Sequence, residues 1–204
     1  MPIRNVIFDV GGVLLQWDPP SVIARLYPDP ATQATIRRQM FEHDDWLEFD
    51  RGTYDETQAA DHFANLTGLK PAETLALIRA TRESLKPIAG TFELVDQLAA
   101  AGVHLYLLSN MPVSTFEYLV RRDRLFEPFR HRVISGAILM VKPEPAIYKH
   151  LVAETGIVPA ESVFIDDLLK NVIAARECGL HAIQFVSPAA CRAELRSYLP
   201  QAGL

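Results

Sequence analysis

Four short apolar runs punctuate the chain: VIFDV (6–10), VHLYLLS (103–109), SVFID (162–166) and HAIQFV (181–186). A fifth, HRVIS (131–135), is weaker. They are rich in β-branched and aromatic residues and do not alternate strictly. Strands covered by helices on both faces read this way. Between them, TFELVDQLAAAG (91–102), EPAIYKHLVAETG (144–156) and LLKNVIAARECG (168–179) space apolar residues as helices do, and each stops at a glycine. Strand and helix in alternation predict an α/β fold, a doubly wound parallel-sheet (Rossmann-like) core.

Residues 16–87 break that rhythm. No strand pattern occurs there; instead amphipathic stretches fall at 21–27, 31–42, 55–67 and 71–85. TYDETQAADHFANLTG opens on an N-cap signal and closes on Gly68. LKPIAG (85–90) reads as the return linker. The expected organisation is a core of 1–15 and 88–204 with a small helical cap, 16–87, inserted after the first strand. At 204 residues and 49% hydrophobic, the chain can bury one real core and a smaller second one.

Charge narrows the classes. A net charge of −5 gives no sequence-independent pull toward nucleic acid or an anionic membrane. Cys178 and Cys191 share no metal-ligand spacing, and no signal peptide or membrane-length apolar run occurs. A cytoplasmic protein without nucleic-acid or membrane partners is expected; nothing fixes its oligomeric state. DRLFEPF (123–129) fits a contact surface as well as a core.

Ligands of open parallel sheets bind beyond the carboxyl ends of the strands. The polar residues there are Asp9 after the first run, Ser109 and Asn110 after the second, and Asp166 and Asp167 after SVFID. Lys142 lies in VKPEP, just before a helix. Three carboxylates cannot crowd together ionised without a cation, and a hard ion with oxygen ligands, Mg²⁺ above all, answers that need. A lysine and a hydroxyl beside it suit a phosphoryl group in transfer, and a carboxylate can serve as its nucleophile.

FDVGGVLL, LYLLSN, VKPEPAIY and VFIDDLLKNVIAAR together resemble the four motifs of the haloacid dehalogenase superfamily, and the 16–87 insertion matches that family's cap. The nearest branch has a double aspartate in the fourth motif and glycine in the first. It includes glucose 1-phosphate phosphatases and relatives of the phosphatase domain of soluble epoxide hydrolase. The resemblance implies a phosphoric monoester hydrolase. Asp9 would be nucleophile and metal ligand, with the Gly11 carbonyl and Asp167 as further ligands. Asp166 would be a ligand or its supporting partner, and Asn171 would tie the loop together. Ser109 and the Asn110 backbone would hold the phosphate, and Lys142 would balance the aspartyl-phosphate and orient Asp9. Asp9, Lys142 and Asp166 are thus the expected catalytic set, acting on a small phosphorylated metabolite, with a sugar phosphate as the leading expectation.

One position departs from the family. Most of its phosphatases carry a second aspartate two residues after the nucleophile, as general acid and base; here that residue is Gly11. Such a group is worth about 10²–10⁴ in rate. Three readings are open: a leaving group that needs no help, another acid with Asp18 in QWDPP as candidate, or a non-catalytic phosphate-ligand binding or regulatory domain. A 2-haloacid dehalogenase fits less well, because its metal-free site would leave Asp166 and Asp167 unscreened beside Asp9. In FEHDDWLEFDRGTYDE, His43, Trp46 and Phe49 either face the site from the insertion or form its core.

Overall fold

The computed structural model describes residues 2–204. Strands β1 (Asn5–Phe8), β2 (His104–Ser109), β3 (His131–Ile134), β4 (Ser162–Asp166) and β5 (His181–Gln184) form one parallel sheet, ordered β3-β2-β1-β4-β5. Phe8 pairs with Leu107 on one side and Ile165 on the other. That register ends β1, β2 and β4 at one level, so Asp9, Ser109 and Asp166 meet at one edge. The strand order reverses at β1, which makes the gap there the natural ligand crevice of such a sheet.

Alternation along each strand explains the continuous apolar runs. Val6, Phe8, Leu107, Val163, Ile165 and Ile183 face one way, into a core shared with α6 (Ala89–Ala100) and α11 (Pro188–Tyr198). Ile7, Tyr106, Leu108, Phe164 and Ala182 face the other, against α9 (Pro145–Thr155) and α10 (Leu169–Glu177). Both faces are covered, so neither tolerates polar residues. Phe126 and Phe129 are buried in the first of these cores, which assigns DRLFEPF to packing.

The insertion folds as helices α1 (Pro19–Leu26), α2 (Pro30–Ile36), a π-helical turn (Arg37–Phe41), α3 (Asp44–Arg51), α4 (Glu56–Thr67) and α5 (Pro71–Ser84). It has its own core, built on Ile36, Met40, Phe49, Phe63 and Leu77. Asp55 caps α4 in a capping box with Gln58, and Gly68 ends it in the left-handed conformation. The chain leaves and re-enters the sheet domain side by side: the Gln16 N–H donates to the Lys86 carbonyl and the Ile88 N–H to the Leu14 carbonyl, both at 2.8 Å.

Three elements go beyond the sequence reading: α3, α7 (Val113–Arg122) and α11. α3 and α7 each bury one residue fully, Phe49 and Leu119, and α11 buries Cys191 and Leu195. α3 and α11 offer few buried positions, while α7, only ten residues long, carries a short apolar stripe, Val113, Phe116 and Leu119. A single turn, α8 (Ser135–Ile138), follows β3 directly. No helix among the described residues is long and apolar enough to cross a membrane.

Candidate active site

Asp9 follows β1 and is held at both ends. Its N–H donates to the Ile165 carbonyl at 2.9 Å, and its Oδ1 accepts from the Val10 N–H at 2.7 Å. Lys142 Nζ lies 2.8 Å from that same Oδ1 and 2.6 Å from Asp166 Oδ2. The lysine is only 1% exposed, so it is an internal counter-ion and not a solvated side chain. Its loop is fixed by Asn110, whose Oδ1 accepts from the Lys142 N–H at 2.8 Å and whose Nδ2 donates to the Lys142 carbonyl at 2.9 Å. The Asn110 side chain is therefore committed to placing Lys142. Ser109 ends β2 almost fully buried, with no hydrogen bond from its hydroxyl to another described residue.

The two adjacent aspartates have different surroundings. Asp166 is fully buried, and both its oxygens are occupied. Oδ1 accepts from the Leu168 N–H at 2.9 Å and from Asn171 Nδ2 at 3.0 Å, while Oδ2 takes Lys142. Asp167 is partly exposed, and its carboxylate has no such partners among the described residues. Its close neighbour is Gly12, at φ +76°, where a Cβ would sit 2.6 Å from Asp167 Oδ2. Only glycine fits there. Gly11 is different: a Cβ would meet only the Trp17 Cβ, at 3.9 Å. The Gly11 carbonyl accepts no backbone hydrogen bond among the described residues.

These groups form an acid-rich cluster. One carboxylate oxygen each from Asp9, Asp166 and Asp167 lies within 4.8 Å of the others. Burial, with Asp166 and Asp167 adding to it, pushes the Asp9 carboxyl up to about 7 against the pull of Lys142. Burial and then Asp166 raise Asp167. Burial alone would lower Lys142, but Asp9 and Asp166 outweigh it and hold the ammonium charged. One lysine does not balance three carboxylates, which is the condition a hard cation relieves. The donor set is all oxygen. Asn171 Oδ1, buried without a hydrogen-bond partner, adds an acceptor for water on such an ion.

The helical insertion roofs this edge and encloses a cavity of about 370 Å³, lined on its floor by Asp9, Gly11, Lys142 and Asp167. Asp50, near the end of α3, lines it from above. Enclosure first, and then the Asp9 charge, raise the Asp50 carboxyl well above the usual range. Its backbone is pinned by Ser135, whose Oγ donates to the Asp50 carbonyl at 2.5 Å while accepting from the Met111 N–H at 2.9 Å. Next to it Arg51 grips Glu144 through two bonds of 2.9 and 2.7 Å. At Gly52, φ +88°, a Cβ would fall 2.6 Å from the Gly136 carbonyl, so that glycine permits the close approach of α3 to α8.

Of the predicted residues on the sheet edge, Asp9, Gly11, Asn110, Lys142 and Asp167 line the cavity and Asp166 holds Lys142 from beneath, while Ser109 ends β2 beside Asn110 and is not on the lining. Asp18 lies apart from them: it caps α1, accepting from the Ser21 N–H at 3.2 Å and from the Ser21 hydroxyl. Those bonds lower its pKa and keep it anionic. His43 likewise caps α3, its Nδ1 accepting from the Asp45 N–H at 3.2 Å. His43, Trp46 and Phe49 all line the cavity, and Phe49 and Trp46 also pack in the core of the insertion. Sequence reasoning missed Asp50, Trp17 and Phe41. Nothing local marks Asp50 apart from Asp44 and Asp45 on the same short helix; only Gly52 hints that its end is tightly packed.

The comparisons agree with this geometry. The model of the haloacid dehalogenase-like hydrolases matches residues 3–179. The sesquiterpene phosphatase astK of Aspergillus oryzae is 30% identical over 195 residues, 95% of each chain. The D-ribitol-5-phosphate phosphatase of Bacteroides thetaiotaomicron is 25% identical over 212 residues, 95% of this chain and 97% of the other. A HAD family enzyme of B. thetaiotaomicron, solved with magnesium and inorganic phosphate, superposes with a TM-score of 0.72 at 23% identity, over 91% of this chain and 95% of that one. With residues 3–179 matched, which include β1 to β4 and the acid cluster, the chain belongs to the haloacid dehalogenase-like hydrolases.

Proposed function

We propose that this chain is a magnesium-dependent phosphatase that releases phosphate from a small metabolite through an aspartyl-phosphate on Asp9. That it is a phosphoric monoester hydrolase follows from its phosphatase relatives and its family. The observation that carries the mechanism is the Lys142 ammonium, buried between Asp9 and Asp166 at 2.8 and 2.6 Å.

Asp9 Oδ1 is held by Lys142 and the Val10 N–H, which leaves Oδ2 to attack phosphorus in line with the departing oxygen. Asp9, the Gly11 carbonyl and Asp167 would hold Mg²⁺, which when bound supplies positive charge against the phosphate oxygens. Asp166 acts through Lys142, fixing the ammonium where it neutralises charge on the transferring group. Ser109 offers its unpartnered hydroxyl to the phosphate. As the new P–O bond forms at Asp9, the ester P–O bond breaks and the leaving oxygen needs a proton. Gly11 cannot give one and Asp18 is turned away. Asp50, in the roof of the cavity with its carboxyl biased toward the protonated form, is the acid in place. Once ionised, the same carboxylate can deprotonate the water that cleaves the aspartyl-phosphate. The insertion then acts as a cap that completes the site and excludes bulk water.

Hydrolysis of p-nitrophenyl phosphate with Mg²⁺, with EDTA and with Asp9→Asn is the test. Release that needs the metal and vanishes in Asp9→Asn is the expected result. A folded protein that turns over no phosphate ester would overturn the reading in favour of a phosphate-ligand binding domain.

A further inference from the structure

The cavity wall opposite the acid cluster is aromatic. Trp17, Phe41 and Trp46 form one continuous surface, with ring centroids 6.3 Å apart for Trp17–Phe41, 5.9 Å for Trp17–Trp46 and 4.6 Å for Phe41–Trp46. Met111 and Leu85 extend it, and Leu168 stands 47% exposed on the lining. Trp17 itself is 43% exposed, an unusual cost for an indole unless something covers it. The surface begins at the reaction centre, since the Trp17 Cβ is the one atom a Gly11 side chain would approach.

The charges around this wall point the same way. Arg82 on the lining pairs with Glu56 at 2.6 Å and lies over the Tyr118 ring, with its Nε unpartnered among the described residues, and the exposed Lys170 also lines the cavity. Lys142 is spent on Asp9 and Asp166. Glu42, Asp44 and Asp50 line the roof as acids, so a second phosphate or a carboxylate on the leaving group would meet repulsion there. Of the neutral hydrogen-bonding side chains that a polyol needs, Asn110, Thr81, Thr115 and Asn171 are on the lining, and Asn110 is committed to the Lys142 backbone. Thr81 lines the cavity, but its hydroxyl donates to the Leu77 carbonyl at 2.9 Å.

We infer that the alcohol released by this site is uncharged and predominantly apolar, an alkyl, prenyl-like or aryl group seated on Trp17, Phe41 and Trp46, and not a sugar. The inference rests on the phosphatase reading, because it assigns the leaving group of that reaction. Its volume of about 370 Å³ lies at the small end of ligand cavities, so the group is compact or only partly enclosed.

The experiment is kcat/KM for straight-chain alkyl monophosphates from propyl to octyl, with glucose 1-phosphate and ribitol 5-phosphate alongside. Leaving-group basicity is constant along the alkyl series, so any slope reports burial. Burying a CH₂ is worth about 0.8 kcal/mol, roughly fourfold. The expected result is a rise of about two- to fourfold per methylene, then a plateau, with both polyol phosphates below hexyl phosphate. Trp17→Ala and Trp46→Ala flatten the slope. A flat series, or a polyol phosphate turned over faster than hexyl phosphate, overturns the inference. Calorimetric binding of the same series to Asp9→Asn with Mg²⁺ separates the two claims. If no ester is turned over, the phosphatase reading fails alone when affinity still rises with chain length. Chain-length-independent affinity overturns the apolar site whatever the turnover.

Discussion

Lys142→Met tests whether the buried ammonium holds the acid cluster together. Methionine is close to lysine in length and shape, so the change removes charge more than volume. The ammonium is 1% exposed and contacts two carboxylates that are 7% and 0% exposed. Stranding the partner of a buried ion pair costs about 3–5 kcal/mol. The cost has a signature in pH. Without Lys142 nothing opposes burial and the Asp166 charge at Asp9, so above about pH 7 the folded state keeps a proton on Asp9 that the wild type gives up. A carboxyl whose folded pKa is raised costs nothing below its unfolded value near 3.9. It costs about 1.36 kcal/mol for each pH unit above that, until its folded pKa is passed. Asp9 already stands at about 7 with the lysine present, so the variant's extra proton persists above that.

The penalty of Lys142→Met should therefore change little from pH 5 to pH 7, where Asp9 holds its proton in both proteins, and grow by about 1.4 kcal/mol from pH 7 to pH 8. Part of the cost is pH-independent and smaller, because Asp166 keeps its bonds from the Leu168 N–H and from Asn171. Urea unfolding of both proteins in EDTA at pH 5, 6.5 and 8 reads this directly. Adding Mg²⁺ at pH 8 should then return part of the loss, since a cation replaces a cation. A penalty that is the same at every pH, or largest at pH 5, would refute the account of Lys142 as the charge that pulls the Asp9 carboxyl down against its burial.

Gly12→Ala should displace Asp167, since its Cβ would lie 2.6 Å from Oδ2 at φ +76°; we expect about 1–2 kcal/mol of lost stability from the left-handed backbone, and melting curves should show a smaller gain from Mg²⁺ than in the wild type. Gly11→Asp has room for its Cβ and, introduced into Asp50→Asn, should restore alkyl phosphate turnover toward the ~10²–10⁴ of a general acid; a gain of that size in the otherwise wild-type protein would mean that Asp50 is not the acid. Asp50→Asn should widen the ratio of aryl to alkyl phosphate turnover by at least ~10², and an unchanged ratio would remove Asp50 from proton transfer.

How much of this was legible in the sequence depended on distance along the chain. β1, β2 and β4 were readable because a strand buried on both faces must be a continuous apolar run, and Asp9, Ser109 and Asp166 were readable because each ends such a run. Lys142 could be placed at the edge but not identified as buried, since burial is conferred by Asn110 and Asp166 from other strands' ends. The difference between Asp166 and Asp167 was unreadable for the same reason. It lies in which carboxylate finds Leu168, Asn171 and Lys142 once the loop closes. Asp50 was furthest from view: the eight residues of α3 bury only Phe49, and nothing between residues 9 and 50 says that the insertion folds back over the sheet.

The two glycines after the nucleophile answer different demands. Gly12 is favoured by the left-handed backbone and by Asp167, which any side chain there would displace. Gly11 is under no such constraint, so its missing carboxylate is a matter of chemistry and not of folding. With Asp50 as the acid, the proton donor moves from the nucleophile's own loop to the roof of the cavity. Its position then depends on the contacts that dock α3: Ser135 on the Asp50 carbonyl, Arg51 on Glu144, and Gly52 against Gly136. A family member with its acid on the sheet can protonate a leaving group whatever its cap is doing. If Asp50 is the acid, this one cannot until the cap is seated, which would also seat Trp46 and Phe41 on the substrate. Recognition of the alcohol and its protonation are thereby made one event, and weakening the Arg51–Glu144 grip should lower kcat for alkyl phosphates more than for aryl ones, whose departing oxygen needs no proton.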